Sequence, residues 1–286
     1  MIINVKKWSL GMRKLLCGTF GQRRIGMVIR ILAITGAVLF VLEGTTYAAH
    51  PLITDDTGTQ GKGKYQFEFI GEYGHDRDNG VTTDTLVMPT VPVLSYGVID
   101  TVDLVIGISY LSRETKQGGA TTTERGISDA SVQVKWRFYE QGKLSFAVKP
   151  GVTLPTGDEN KGLGNGKASC SLFFIITEEL LPWAFHLNLG YIHDEFDLRS
   201  DEDANRKDIW HASLASEVKV LTDLKAVANI GVERNPDRTS NTDPAFLLGG
   251  LIYSINESTD VDFGVKSGLT KPETDISYLA GVTWRF

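Results

Sequence analysis

The chain has 286 residues, of which 42% are hydrophobic and 22% charged, and its formal net charge is −6. This length suits one large domain or two ordinary ones, and the composition suits either a globular protein or a membrane β-barrel, in which apolar and polar residues alternate. The acidic balance argues against nucleic acid as a partner, because phosphate binding requires a basic surface.

Residues 1–48 are predicted to be a signal peptide. The apolar run at residues 31–42 is about a dozen residues long, whereas a membrane-spanning helix needs roughly 20. Basic residues precede this run, and Ala48 and Ala49 are small residues suited to cleavage by a signal peptidase. Cleavage there would remove seven basic residues and one acid, which takes the net charge to about −12. Cys170 would then be the one remaining cysteine, so no internal disulfide is expected.

Residues 49–63 are predicted to form a short periplasmic segment, and residues 64–286 alternate between apolar and polar side chains. In the clearest example, Val134 and Trp136 point to one side of a strand and Lys135 and Arg137 to the other. Such segments predict an all-β fold, a transmembrane antiparallel up-and-down β-barrel of about twelve strands. The predicted strands are residues 64–75, 84–96, 101–111, 127–139, 143–154, 167–178, 181–193, 208–220, 222–234, 244–255, 258–269 and 275–286.

The connections between these strands alternate in length. Those at 97–100, 140–142, 179–182, 221 and 256–257 are tight, and those at 76–83, 112–126, 155–166, 194–207, 235–243 and 270–274 are longer and polar. Short periplasmic turns opposite long external loops are typical of Gram-negative outer-membrane barrels. The sequence therefore predicts export to the cell outer membrane. Pro89 and Pro92 interrupt the second strand, where a bulge is expected.

The C-terminal strand favours a membrane barrel over a soluble β-sandwich or a periplasmic carbohydrate-binding domain, both of which would also alternate. Tyr278, Trp284 and Phe286 share one face of this strand, and aromatic rings at strand ends suit the headgroup region. A terminal Phe286 is also similar to the signal that the barrel-assembly machinery reads. The expected partners are this machinery, outer-membrane lipid, lipopolysaccharide and a small-molecule solute.

Polar residues at inward positions are predicted to line the lumen. Lys135 and Arg137 would face Asp260 and Asp262 about half a circumference away, which predicts a transverse field in a narrow passage. The alternative is that these charges pair with their neighbours and seal the lumen. The lumen candidates are Glu68, Glu72, Asp103, Lys135, Arg137, Lys143, Lys149, His186, Glu217, Lys219, Lys225, Asp260, Asp262, Lys266 and Arg285.

Four stretches carry a family resemblance: HPLITDDTGTQGKGKYQFEF from His50, LSYGVIDTVDLVIGISY from Leu94, GISDASVQVKWRFYE from Gly126 and VTLPTGDENKGLG from Val152. They resemble the meta-pathway phenol-degradation family of outer-membrane transporters, over nearly all of the chain after the signal peptide. The resemblance implies a membrane barrel that takes up or exports small compounds, aromatic or hydrophobic in character. It does not identify the solute.

An enzymatic function is the weakest of three alternatives. His211 and Ser213 lie two residues apart on one strand with Asn229 on the next, which is similar to the arrangement in outer-membrane phospholipase. Because Trp210 and Leu214 take the apolar side, His211 and Ser213 should point into the lumen, away from lipid. No cofactor is predicted, and no metal site, because the stretch from Asp201 that is similar to a calcium loop has Arg206 in place of the glycine and Ala212 in place of the glutamate.

Passive passage of small solutes through the barrel is thus the leading prediction. The alternative is a structural or adhesive barrel with a sealed lumen, and a phospholipase-like enzyme comes third.

Overall fold

The computed structural model describes residues 50–286, except for the side chains of residues 89–91. The strands in this part of the chain are β1 (Tyr65–Asp78), β2 (Val81–Ile99), β3 (Val102–Gln117), β4 (Ala120–Ile127), β5 (Ala130–Gln141), β6 (Leu144–Leu154), β7 (Ser169–Leu180), β8 (Trp183–His193), β9 (Asp208–Leu221), β10 (Leu224–Glu233), β11 (Ala245–Asn256), β12 (Thr259–Gly268) and β13 (Ile276–Arg285). A 3-10 turn (Glu159–Lys161) and a short helix α1 (Arg199–Ala204) lie in two of the connections.

No helix within residues 50–286 is long and apolar enough to cross a membrane.

The strands form one closed antiparallel barrel. Neighbours in the chain pair with each other, and β1 pairs with both β2 and β13, which closes the ring. β3 has two partners on one side, because its residues 102–107 pair with β5 and its residues 110–117 pair with β4. β4 and β5 therefore form a single barrel strand interrupted at Ser128 and Asp129, and the prediction of a twelve-stranded barrel is confirmed.

The two faces of the wall differ as the alternation predicts. On β5, the side chains of Val134, Trp136 and Phe138 are exposed on the outside, whereas Lys135 is buried on the inside. On β13, Tyr278, Val282 and Trp284 are exposed, whereas Leu279 and Thr283 on the opposite face are buried. Closure gives the backbone groups of the wall hydrogen-bond partners within the sheet, so an apolar exterior of this kind is suited to lipid.

Aromatic residues gather at the end of the barrel that carries the tight turns, which we call the tight-turn end. Tyr65 begins β1 there, and its backbone exchanges two hydrogen bonds with Phe286, of 2.9 and 3.0 Å. The two rings stack with their centroids 5.4 Å apart, and Trp284 packs against Phe286 at 5.0 Å. The C-terminal residue thus takes part in closing the barrel.

Two predicted loops are strands in the structure. Most of residues 76–83 and 112–126 extends the hairpins β1–β2 and β3–β4. Each hairpin ends in a two-residue turn with positive φ angles, at Asn79 and Gly80 (49° and 82°) and at Gly118 and Gly119 (58° and 85°), a backbone that favours asparagine and glycine. The prediction of loops there was wrong because the alternation of apolar and polar residues marks only strands with one buried or lipid-facing side.

The second strand carries the irregularity expected from its prolines. β2 runs through Pro89 and Pro92, and its pairing with β1 is interrupted between Glu68 and Glu72. Three residues of β1 lie opposite five residues of β2 in this interval, from Val87 to Val93. The ladder of hydrogen bonds between β2 and β1 is therefore interrupted here, which accommodates proline because proline has no N–H to donate.

Candidate functional site: the barrel lumen

Residues 50–60, which we call the lumenal segment, lie inside the barrel. The segment precedes β1 and crosses the lumen along the inner wall. The amide of Gln60 donates to both carboxylate oxygens of Asp103 on β3, at 3.1 and 2.9 Å. At the other end, His50 hydrogen-bonds to Asp262 on β12. The sequence predicts that residues 49–63 lie in the periplasm, whereas residues 50–60 lie within the barrel lumen.

The middle of the segment is held by side chains of the wall. The amides of Ile53 and Thr54 both donate to Asn229 Oδ1, at 2.8 and 3.0 Å. The amide of Thr57 donates to Thr177 Oγ1 at 3.1 Å. The segment has no regular secondary structure, so its buried amides cannot bond to a neighbouring strand. Side chains of the wall accept these hydrogen bonds instead, because buried backbone groups need a partner.

The N-terminal part of the segment fits a depression in the wall. Pro51 lies over Gly250 and Gly264, which face each other on β11 and β12. A Cβ atom added at either glycine would lie 2.7 or 2.8 Å from the ring of Pro51. Leu52 packs against buried apolar side chains of β10, β11 and β13, among them Val227 and Leu248. The wall is thus shaped to the segment, and a larger side chain at these glycines would push it away.

Two lysines of the wall hold the centre of the segment. Lys135 on β5 and Lys149 on β6 reach one carboxylate, that of Asp55: Lys135 Nζ lies 2.7 Å from Oδ1, and Lys149 Nζ lies 2.8 Å from Oδ2. Lys135 also donates to the carbonyl oxygen of Gly58 at 3.3 Å and lies 3.6 Å from Asp56 Oδ1. Charge-assisted contacts of this kind are stronger than neutral hydrogen bonds.

The other charged residues predicted for the lumen form ion pairs with nearby strands. Glu217 lies 3.0 Å from Lys225, Glu72 lies 3.1 Å from Lys266, and Asp260 lies 2.7 Å from Arg285. The charges of β12 and β13 therefore meet partners close to them, instead of facing the lysines of β5 and β6 across an open pore. This arrangement differs from the predicted transverse field.

The remaining candidates occupy varied positions. Asp103 is buried against Gln60, and Glu68 lines a cavity. His186 is fully buried, with Nδ1 3.0 Å from the Thr177 hydroxyl and Nε2 3.9 Å from Glu217. Lys219 is partly exposed near the end of β9.

Two candidates lie at the tight-turn end. Arg137 contacts Glu140 at 3.2 Å. Lys143 is exposed in the turn between β5 and β6. The prediction that it lines the lumen is therefore wrong, because the alternation of inward and outward side chains does not continue through a turn. Ala48 and Ala49, the predicted cleavage sites, lie outside the described residues.

A cavity of about 330 Å³ remains beside the segment. It lies between the lumenal segment and the inner faces of β1, β2, β3, β5 and β6. Its lining includes aliphatic side chains such as Leu52, Ile70 and Val105, and polar ones that include both lysines of the Asp55 contact. The volume is at the lower end of the range of small-molecule sites, which is about 300–1,000 Å³.

His211 and Ser213 face the lumen, as predicted. His211 Nε2 lies 3.0 Å from Ser213 Oγ, and Nδ1 lies 3.3 Å from the carboxylate of Glu233. This is the order of contacts in a catalytic triad. However, Ser213 Oγ accepts a hydrogen bond of 2.7 Å from Thr54, and Ser213 is buried beneath the lumenal segment. The contacts therefore satisfy polar groups between wall and segment and leave the hydroxyl covered.

A lysine of the acidic external loop at residues 194–207 pairs with two of the loop's carboxylates. Lys207 Nζ lies 2.9 Å from Glu195 and 2.7 Å from Glu202, and these hydrogen bonds lower the pKa of both carboxyls. Within residues 50–286, no group of three or more His, Cys, Asp or Glu side chains is arranged to hold a metal ion.

Sequence reasoning missed the residues of the lumenal segment, above all Thr54, Asp55 and Asp56. One signal was available. Lys135 and Lys149 point inward at adjoining positions on neighbouring strands, and like charges placed opposite each other need a compensating group. Two adjacent aspartates stand just before the first strand.

A closed twelve-stranded barrel with an apolar exterior and a charged lumen is the fold of porin-like outer-membrane proteins. The chain belongs to the family described as "Putative MetA-pathway of phenol degradation", whose model matches residues 49–286. This confirms the resemblance drawn from the sequence.

A solved porin structure shows a similar barrel fold. The chain is similar to the NanC porin, with a TM-score of 0.51 and 10% identity, over 76% of this chain and 98% of that one. For the KdgM porin the TM-score is 0.45 and the identity 10%, over 77% of this chain and 99% of that one. For the translocator domain of the autotransporter NalP from Neisseria meningitidis the TM-score is 0.46 and the identity 11%, over 92% of this chain and 96% of that one. At such identities the likeness to the NanC porin concerns the fold and not the solute. None of the curated proteins matches the chain.

Proposed function

We propose that the protein is a channel of the Gram-negative outer membrane through which small solutes pass passively, and that the lumenal segment narrows the path open to these solutes. The porin-like fold supports a non-enzymatic channel in general terms. The observation that carries the proposal is the lumen itself: a peptide that is not part of the wall occupies it through side-chain contacts, and a cavity of about 330 Å³ remains beside this peptide. A barrel that served only as a scaffold would not need such a cavity.

Small aromatic or hydrophobic compounds are the solute class that the family description suggests. The aliphatic residues Ile70, Val93 and Val105 on the cavity wall support an apolar solute body, and the serines and charged groups beside them support a polar substituent. Export through a signal peptide, insertion by the barrel-assembly machinery through the Phe286 strand, and contact with lipopolysaccharide belong to the same proposal.

Planar-bilayer recording of the purified barrel tests this function. We expect small, discrete conductance steps, because twelve strands leave a narrow path that the segment narrows further. The second candidate is the sealed structural or adhesive barrel, which the dense contacts of the segment favour. Absence of conductance in the wild type and in a variant whose segment packing is disturbed, such as Gly264→Ala, would contradict the channel and support the sealed barrel.

A further inference from the structure

The two lysines Lys135 and Lys149 are placed so that one anion can contact both ammonium groups. Lys135 and Lys149 stand at adjoining positions of β5 and β6, between the paired residues Gln133–Gly151 and Trp136–Val148. Like charges placed opposite each other on neighbouring strands destabilise a sheet, and both side chains are largely shielded from solvent. An anion between the two ammonium groups removes this repulsion.

The anion present is supplied by the lumenal segment and not by the wall. Within the described part of the chain, the ion pairs of Lys135 and Lys149 are made with Asp55 and Asp56 alone, both in the segment. Glu217, Glu72 and Asp260, by contrast, pair with bases carried on wall strands. At the lysine pair, therefore, two wall cations depend on the lumenal segment for their charge balance.

The cavity opens onto this contact. Asp55, Lys135 and Lys149 are all among its lining residues, so a solute held in the cavity lies beside the lysines that Asp55 occupies. Exchange of one carboxylate for another leaves the charge of the site unchanged. A second negative charge would be opposed by Glu68, Asp103 and Asp129, which line the same cavity.

From these observations we infer that the Lys135–Lys149 pair is the binding site for the carboxylate of a small organic monocarboxylate solute, and that Asp55 occupies it as an internal stand-in when no solute is bound. The inference deepens the proposed channel function and rests on it for its physiological meaning. Entry of the solute carboxylate displaces Asp55, and the aliphatic lining of the cavity receives the body of the solute. Loss of the Asp55 contact loosens the segment.

The test measures binding by titration calorimetry on the detergent-solubilised barrel, with benzoate as the probe and benzyl alcohol as the neutral control of similar shape. Asp55→Asn removes the internal competitor, so we expect benzoate to bind this variant about tenfold more tightly than the wild type. Benzyl alcohol should not distinguish the two proteins. Asp103→Asn is the matched control, because it removes one carboxylate from the same cavity without touching the lysines, and it should show a smaller gain.

A second variant identifies the site. Adding Lys135→Gln and Lys149→Gln to Asp55→Asn should abolish benzoate binding. Heat-modifiable migration in gels checks that each variant folds. Equal affinity of Asp55→Asn for benzoate and benzyl alcohol, or benzoate binding that survives loss of both lysines, would overturn the inference.

The wild type offers a test that needs no variant. Saturating benzoate should accelerate hydrogen exchange at the amides of residues 53–60, and benzyl alcohol should not. Unchanged exchange with benzoate bound would contradict displacement of Asp55. These outcomes are separate from conductance: a barrel that conducts without carboxylate preference removes this inference alone, and a barrel that binds benzoate without conducting removes the proposed function.

Discussion

The outer and inner faces of the same wall are built by different rules. On the outside, alternate residues such as Val134, Trp136 and Phe138 meet a single requirement, that they be apolar, and neighbours there are interchangeable. On the inside each polar group needs its own partner, because a buried polar group without one is costly. The wall supplies many of these partners itself, and the lumenal segment supplies others, among them the carboxylate between Lys135 and Lys149. The inner face is therefore complete only with a peptide that is not part of the barrel.

The largest effect should come from a charge placed on the outer face. Val134→Arg should lower the free energy of unfolding in lipid by about 2–4 kcal/mol, because the arginine would lie near the bilayer centre. Gln133→Arg, one residue away on the inner face, should lower it by much less, because its charge stays out of the lipid. Urea unfolding in lipid vesicles measures both. Equal tolerance of the two variants would mean that the facing of β5 is wrong.

A smaller effect is expected where the inner face relies on the segment. Asp55→Asn leaves two ammonium groups facing each other, which should lower the free energy of unfolding by about 1–3 kcal/mol. Adding Lys149→Gln should recover part of this loss, because one of the two repelling charges is gone. A double variant less stable than Asp55→Asn alone would show that the contact is not the source of the effect.

The glycines beneath Pro51 test the fit of the segment without altering charge. Gly264→Ala places a Cβ atom 2.8 Å from the nearest atom of Pro51, and overpacking of this kind costs about 1 kcal/mol or more. The segment can move and the wall cannot, so hydrogen exchange at residues 52–54 should accelerate while the strands stay protected. Gly249→Ala is the control, since nothing lies within 4 Å of its added Cβ. Identical exchange in the two variants would argue against the packing of Pro51.

The smallest effect is expected at the contact that resembles a catalytic triad. Ser213→Ala removes hydrogen bonds to His211 and Thr54, which should lower the free energy of unfolding by about 0.5–1.5 kcal/mol. It should not alter hydrolysis of a short-chain nitrophenyl ester, because the hydroxyl lies beneath the segment. Ester hydrolysis by the wild type that disappears in this variant would instead support the enzymatic alternative.

The outer face was predictable from the sequence, and the inner face only in part. Lipid imposes a period of two, so the strand number and the outward positions on β5 and β13 follow from alternation alone. The hairpin extensions beyond the barrel do not face lipid on one side, and their threonine-rich strands were mistaken for loops. Alternation also marks Lys135 and Lys149 as inward residues. It cannot identify their partner, because Asp55 lies in an irregular peptide whose position depends on contacts with the distant strands β9 to β13.

Hydrogen exchange of the purified wild-type barrel tests most directly whether residues 50–60 complete the inner face. The amides of Ile53, Thr54, Thr57 and Gln60 donate to side chains of the wall, whereas the amide of Thr239 hydrogen-bonds within an exposed loop. We expect the four segment amides to exchange as slowly as the interior of β10, and Thr239 to exchange much faster. Exchange of all four at the rate of Thr239 would contradict the account, because the segment would then lie free of the lumen.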